Sequence, residues 1–151
     1  CAPAVIDGDK ALMARLESLR REAGQLMGMG DVSDSVVPKI ALLGPNPDAT
    51  LNARYLTPLA VHKAMAVTGG ICIATAARIP GTVAHDVATP GGSPVAIAHP
   101  SGVLDVALEL AGEDDVAWAG VLRTARRIFE GNLLIPARIW AGRTAFAKAA
   151  E

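Results

Sequence analysis

Apolar positions along the chain fall into three regimes. Between residues 10 and 27, Leu12, Leu16, Leu19, Ala23 and Leu26 recur at three- and four-residue steps, the spacing that stacks side chains on one face of an α-helix. Asp9 stands where a carboxylate can cap the first turn, and Arg15, Glu17, Arg20, Arg21 and Glu22 make the wet face. Gly28, Gly30 and Asp31 end the helix, and a polar loop follows over residues 31–35. Residues 39–43 read as a short buried strand stopped by Gly44-Pro45-Asn46-Pro47, and residues 52–57 alternate weakly as a second strand.

The second regime is residues 68–79, which carry no charge until Arg78. A helix that is apolar on every side is a buried helix, and its small residues (Ala74, Thr75, Ala76, Ala77) would let strands approach it closely. Pro80-Gly81 terminates it. The last third has the period of strands. Residues 94–98 are apolar, and residues 103–110 alternate, with Val103, Asp105, Ala107 and Glu109 on one face and Leu104, Val106, Leu108 and Leu110 on the other. A turn at residues 112–115 leads to expected strands at 118–124 and 129–139, the latter with a possible bulge at Gly131-Asn132; an Ala-rich tail begins at Gly142. The pattern predicts an α+β domain: a mostly antiparallel sheet around one buried helix, with an amphipathic helix outside.

Composition narrows the function. The 151 residues are 51% apolar but only 3% aromatic, so one ordinary-sized domain can bury a core built of Ala, Val, Leu and Ile. The formal charge of −1 and the scarcity of aromatics exclude a nucleic-acid footprint. Cys1 and Cys72 make neither a disulfide framework nor a zinc site, so a reducing, cytoplasmic setting is expected. No apolar run is long enough to span a membrane, and no signal peptide opens the chain. A first residue of Cys rather than Met points to processing, truncation or a gene fragment. No metal or cofactor motif is present: neither P-loop, Rossmann fingerprint nor zinc spacing, and no Ser/His/Asp motif in its usual context.

The chemistry that remains is anion recognition. Thr68-Gly69-Gly70 opens the buried helix. Helix N-termini present unpaired N–H groups and the positive end of the dipole, and glycine leaves the backbone approachable. His62 and Lys63, just upstream, add an acid/base group and a cation. On spacing alone the glycines read first as a strand-to-helix turn and Lys63 as a solvated lysine. Ser101 and Gly102, in His99-Pro100-Ser101-Gly102, would present a hydroxyl and an N–H to a ligand, or simply form a tight turn. Cys72, inside the apolar helix, reads as a small core residue rather than a nucleophile. Arg123, Arg126 and Arg127 form a basic cluster on a solvated edge or beside a carboxylate, and His85-Asp86 reads as a surface loop pair.

Taken together, His62-Lys63-Ala64, Thr68-Gly69, Cys72 and Arg78-Ile79-Pro80-Gly81-Thr82 resemble the hallmark elements of the PrpF family. His99-Pro100-Ser101-Gly102, Arg123-Thr124-Ala125-Arg126-Arg127, Glu130-Gly131 and Pro136 agree, as does the opening helix, so the resemblance runs from about Ile6 to Ile139. It implies a diaminopimelate epimerase-like fold of two similar lobes, each a curved sheet around a central helix, with the site in the cleft between them. It implies a cofactor-independent isomerase, acting by proton transfer with a double-bond shift or by cis/trans isomerisation, of unsaturated di- and tricarboxylates such as methylaconitate. The chain would be the second lobe (residues 1–141, then a tail at 142–151), without the first lobe that carries an important lysine and cysteine in the family. Diaminopimelate epimerases place a catalytic cysteine just before a Gly-Thr-Gly turn; here Ala66 holds that place, which disfavours a two-cysteine racemase. The resulting expectations are His62 and Lys63 as catalytic groups, and Thr68, Gly69, Gly70, Ser101 and Gly102 as substrate-binding groups. The partner would be a small carboxylate, and the chain would form a homo-oligomer through residues 129–139, whose partner strand is missing. The alternative is a non-catalytic fragment or carboxylate-binding module that self-associates.

Overall fold

Asp9 caps the amphipathic helix as its position predicts: its carboxylate accepts from the Leu12 N–H at 2.9 Å. The computed structural model describes residues 2–112, 115–122 and 124–140. It opens with α1 (Pro3–Gly8), which was not foreseen, and α2 (Lys10–Leu26). Pro at the start of α1 costs no hydrogen bond and pre-sets φ. The Asp7 carboxylate accepts from the Val61 N–H at 2.8 Å and ties α1 to the middle of the chain.

The buried stripe of α2 is not the one that apolar spacing suggests. Leu16, Arg20 and Gly24 face inward, while Leu19 is 48% and Leu26 85% exposed. Arg20, expected on the wet face, is only 2% exposed. The loop after α2 folds back over it, and Val32 fills the space a side chain at Gly24 would need, with Cγ2 2.7 Å from where a Cβ would stand. A four-residue step through a charge and a glycine carries no hydrophobic signal, so the stripe was invisible to polarity.

Five strands form one sheet in the order β1 (Ala41–Gly44), β2 (Leu51–Tyr55), β3 (Val95–His99), β4 (Gly102–Leu110), β5 (Val116–Val121). Three of its four pairings are antiparallel; β2 and β3 are parallel, with Leu51 opposite Ile97. A parallel pair needs a crossover, and α3 (Val67–Ala76) and α4 (Val83–Val87) supply it. Alternation in β4 is as read: Leu104, Val106 and Leu108 are buried, Val103, Asp105 and Glu109 exposed. They join Leu51, Ala53, Val95 and Ile97 against Ile73, Ala74 and Ala77 at α3. A second cluster, Ile6, Leu16, Leu56 and Val61, with Ile40 and Leu42 beside it, joins α1 and α2 to the β1–β2 region.

Three expectations need correction. Helix α3 buries Gly69, Gly70, Ile73 and Ala74, but Val67, Thr68 and Cys72 are exposed. Sheet packing covers one side of it rather than most. Residues 82–88 contain a helix, so His85-Asp86 is helical and not a loop pair; the Thr82 hydroxyl accepts from the His85 N–H and donates to the Ala76 and Ile79 carbonyls. Residues 129–139 form no strand. A strand needs a neighbour for its N–H and C=O groups, and none of the described residues provides one. Arg123 and the tail from residue 142 lie outside the described residues.

Candidate functional site

Residues 56–66, between β2 and α3, carry two of the expected groups, and local hydrogen bonds fix both. The His62 N–H donates to the Tyr55 carbonyl at 2.7 Å, and the His62 Nδ1 accepts from the Ala64 N–H at 3.0 Å. A ring nitrogen that accepts carries no proton, so the neutral ring holds its proton on Nε2. Lys63 projects into solvent while its carbonyl accepts a short hydrogen bond from the Ser101 hydroxyl. That bond docks the β3–β4 turn onto the segment leading into α3, joining two expected pieces 38 residues apart. Gly102 makes the turn possible with φ +142°, a backbone region open to glycine.

His99, beside Ser101, takes the same tautomer, because its Nδ1 accepts from the Ser101 N–H at 3.3 Å. Burial, reinforced by the neighbouring Arg54 and His62 side chains, pushes its pKa below the usual histidine value. The ring is therefore neutral at pH 7, with an N–H to donate.

Ala66 is the N-cap of α3, in extended conformation and with no side-chain cap bond. The Gly70 N–H is spent on the Ala66 carbonyl at 2.8 Å. In the helical frame the N–H groups without an intrahelical acceptor are therefore those of Val67, Thr68 and Gly69, one step earlier than the glycine pair suggests. The glycines have a packing role. A Cβ on Gly69 would lie 2.4 Å from Cε2 of Tyr55, and one on Gly70 2.5 Å from Cδ2 of Leu104.

Tyr55 and Lys39 were missed. The Tyr55 ring lies over Gly69, makes an edge contact with His62 (centroids 6.5 Å apart) and carries the Lys39 ammonium 5.9 Å from its centroid. Burial first, then the nearby Cys72, raises the phenol's pKa, so it stays protonated. Both residues flank strand β1–β2 sequence with no local motif, and only the fold brings them to α3. Beside them is a hollow of about 610 Å³ lined by Lys39, Tyr55, Thr68, Gly69 and Cys72 together with Met27 and Met29. Cys72 is exposed there, against the expectation of a core residue. Of the basic cluster, Arg127 pairs with Glu130 at 2.6 Å, both largely exposed. Among the described residues no group of three or more His, Cys, Asp or Glu could hold a metal, and no helix is long and apolar enough to cross a membrane.

The model of the PrpF protein family matches residues 2–136. The chain belongs to the PrpF family. It is 44% identical over 137 residues to YbhH of Escherichia coli strain K12, a protein provisionally named an isomerase, covering 89% of this chain and 39% of that one. It is 37% identical to a 4-oxalomesaconate tautomerase of Pseudomonas putida strain KT2440, over 91% of this chain and 39% of the relative. Its fold matches the crystal structure of a methylitaconate-delta-isomerase with a TM-score of 0.77 and 32% identity, over 87% of this chain and 39% of that chain. The PrpF chain described here thus spans about two-fifths of the length of these relatives. The relatives' names describe isomerases of unsaturated carboxylates, and the mixed α+β fold with its five-stranded sheet agrees with the solved relative.

Proposed function

We propose that this chain is the C-terminal lobe, of diaminopimelate epimerase-like fold, of a cytoplasmic, cofactor-independent isomerase of unsaturated di- and tricarboxylates such as methylaconitate. The observation that carries the reading is the Ser101–Lys63 contact beside the uncapped start of α3. It holds the Ser101–Gly102 turn against the segment that carries His62 and Lys63 and leads into α3. A substrate carboxylate would accept from the Val67, Thr68 and Gly69 N–H groups and the Thr68 hydroxyl, with Lys63 supplying charge. Gly70 serves by letting Leu104 pack beneath that turn. An allylic shift removes a proton from one carbon and returns one to another while the double bond moves between them. No electrons leave the substrate, so the step needs no redox group. His62, with its proton on Nε2, could act only as the acid that gives a proton to the second carbon; the base that takes the first proton would come from the other lobe that the family resemblance implies.

Titration with trans-aconitate, followed by amide NMR shifts, tests the site. Shifts should centre on residues 66–70, with affinity around millimolar because the ligand stays wet on one side. Lys63→Ala should weaken binding by about threefold to tenfold. Perturbed amides confined to residues 124–127 would overturn the site. Turnover of the same compound, measured separately, distinguishes an active lobe from the alternative, a self-associating carboxylate-binding fragment.

Self-association is part of the proposal. Ile128, Phe129, Leu133 and Leu134 are 77–93% exposed, and such an apolar segment, with no strand partner among the described residues, invites pairing with a second copy. Light scattering at micromolar concentration should report a dimer, and Leu133→Glu combined with Leu134→Glu a monomer. A monomeric wild-type chain would count against the contact.

A further inference from the structure

Arg78, the residue that follows the last turn of α3, faces a separate cavity of about 270 Å³ that the proposed isomerase site does not use. Thr50, His85, Thr89, Gly91 and Gly92 line it with Arg78. At 1.5 Å per residue, the ten residues of α3 put it about 15 Å from the first site. Arg78 is half-buried as a residue, and its guanidinium donates from one NH group to the Gly91 carbonyl at 2.6 Å, in a bond open to solvent. That bond holds the guanidinium in place but does not neutralise it. Among the described residues no carboxylate lies within ion-pair distance of Arg78.

Gly91 and Gly92 point the same way. At Gly69 and Gly70 packing demands glycine. At Gly92 an added Cβ meets nothing within 4 Å, and at Gly91 only the Thr89 carbonyl at 4.0 Å. Neither has a left-handed φ. What the two glycines do provide is bare backbone at the cavity wall, with no side chain to keep a ligand away from it. The wall is anchored: the Thr89 N–H donates to the Thr50 carbonyl at 2.8 Å, and the Thr50 hydroxyl accepts from the Ala96 N–H of β3 at 3.0 Å. Carbonyls at the end of α3 would repel an anion, but Ala76 and Ile79 already accept from the Thr82 hydroxyl, and Ile73 and Thr75 from the Ala77 and Arg78 N–H groups.

We infer that this cavity is a second anion site, binding one small oxyanion of the carboxylate or phosphate class on the Arg78 N–H groups that the Gly91 bond leaves over, beside the Gly91-Gly92 backbone. Its volume lies below the roughly 300–1,000 Å³ of pockets that hold drug-sized ligands, so a nucleotide is too large. Asp48 lines the adjoining hollow, and Asp86 follows His85 on α4; both oppose a ligand with several charges.

The test is amide NMR titration of the full chain with inorganic phosphate and, in a parallel arm, with succinate. Saturable shifts are expected at Arg78, Gly91 and Gly92, and the tighter of the two ligands identifies the source. Arg78→Gln should weaken binding by about tenfold or more, while Lys63→Ala leaves it unchanged. Gly92→Val has room for its Cβ, so it should fold normally and still lose affinity by about tenfold as its side chain covers the backbone. Shifts that do not saturate, or unchanged affinity in folded Gly92→Val or Arg78→Gln protein, overturn the site.

Discussion

Glu17→Ala should destabilise the fold by about 3 kcal/mol, because it strands a charge that has no other counter-ion among the described residues. Arg20 is 2% exposed, and all five of its N–H donors are used. Two meet the Glu17 carboxylate at 2.7 and 2.9 Å; the others meet the carbonyls of Ser35 (3.1 Å), Val37 (3.3 Å) and Val32 (2.8 Å). The pair is thus a clasp that holds the loop after α2, and this loop carries the Val37–Pro38 wall of the hollow beside Tyr55. The Arg20 hydrogen bonds, opposed in part by burial and helped by Arg21, hold the Glu17 pKa down at about 2. A depressed carboxylate pKa means that the unfolded chain takes up the proton first as pH falls. The contribution is therefore complete above the ordinary value of 4.5 and disappears as pH drops through about 2. Glu17 borders solvent, so the loss between pH 7 and pH 2 should be about 2 kcal/mol rather than the full shift. Urea unfolding at both pH values checks this. Other carboxylates, Asp31 among them, also titrate, so the readout is the wild-type minus Glu17→Ala difference, which should shrink toward acid. A difference that is flat with pH would show that the ion pair is not the cause.

That clasp also marks where the sequence stops being legible. Helices α2 and α3 and the alternation of β4 are local properties, written in the spacing of Leu12, Leu16, Leu104 and Val106 and in a charge-free run. Which side of α2 turns inward is not local: Arg20 is buried because three carbonyls from residues 32–37 meet it there. The failure at residues 129–139 has a similar origin. Their apolarity reads as a strand, but a strand exists only beside another strand, and the described residues offer none. In the candidate site, the motif pieces around His62 and Ser101 were legible because each stands in a short recognisable string. Tyr55 ends an ordinary strand and Lys39 stands just before β1, and no spacing rule brings the Tyr55 ring over Gly69 or Lys39 to that ring. The exposure of Cys72 was hidden too, since an apolar helix announces burial without saying how much of it this sheet covers.

Gly69→Ala should destabilise the protein by about 1–2 kcal/mol, although alanine is the better helix former. Within a helix the exchange alone favours Ala by about 1 kcal/mol. Opposing it, the new methyl would stand 2.4 Å from Cε2, 2.6 Å from Cζ and 2.9 Å from the hydroxyl of Tyr55. The ring is the far end of its side chain and can move, but it is held between His62 and the Lys39 ammonium, so overpacking of about 1–3 kcal/mol is the larger effect. Tyr55→Phe should not relieve it, because the two nearest atoms are ring carbons. Tyr55→Ala should, and a double-mutant cycle between Gly69→Ala and Tyr55→Ala should give a coupling of about 1–2 kcal/mol in favour of the pair. The same ring shift would disturb the Gly69 N–H and the Tyr55–His62 contact, so trans-aconitate binding should weaken in Gly69→Ala more than its stability loss accounts for. The chain has a single tyrosine, so its NMR ring resonances report the displacement directly. A Gly69→Ala protein more stable than wild type, with the Tyr55 resonances unmoved, would show that the ring does not pack on this glycine and would remove the packing account of the helix start.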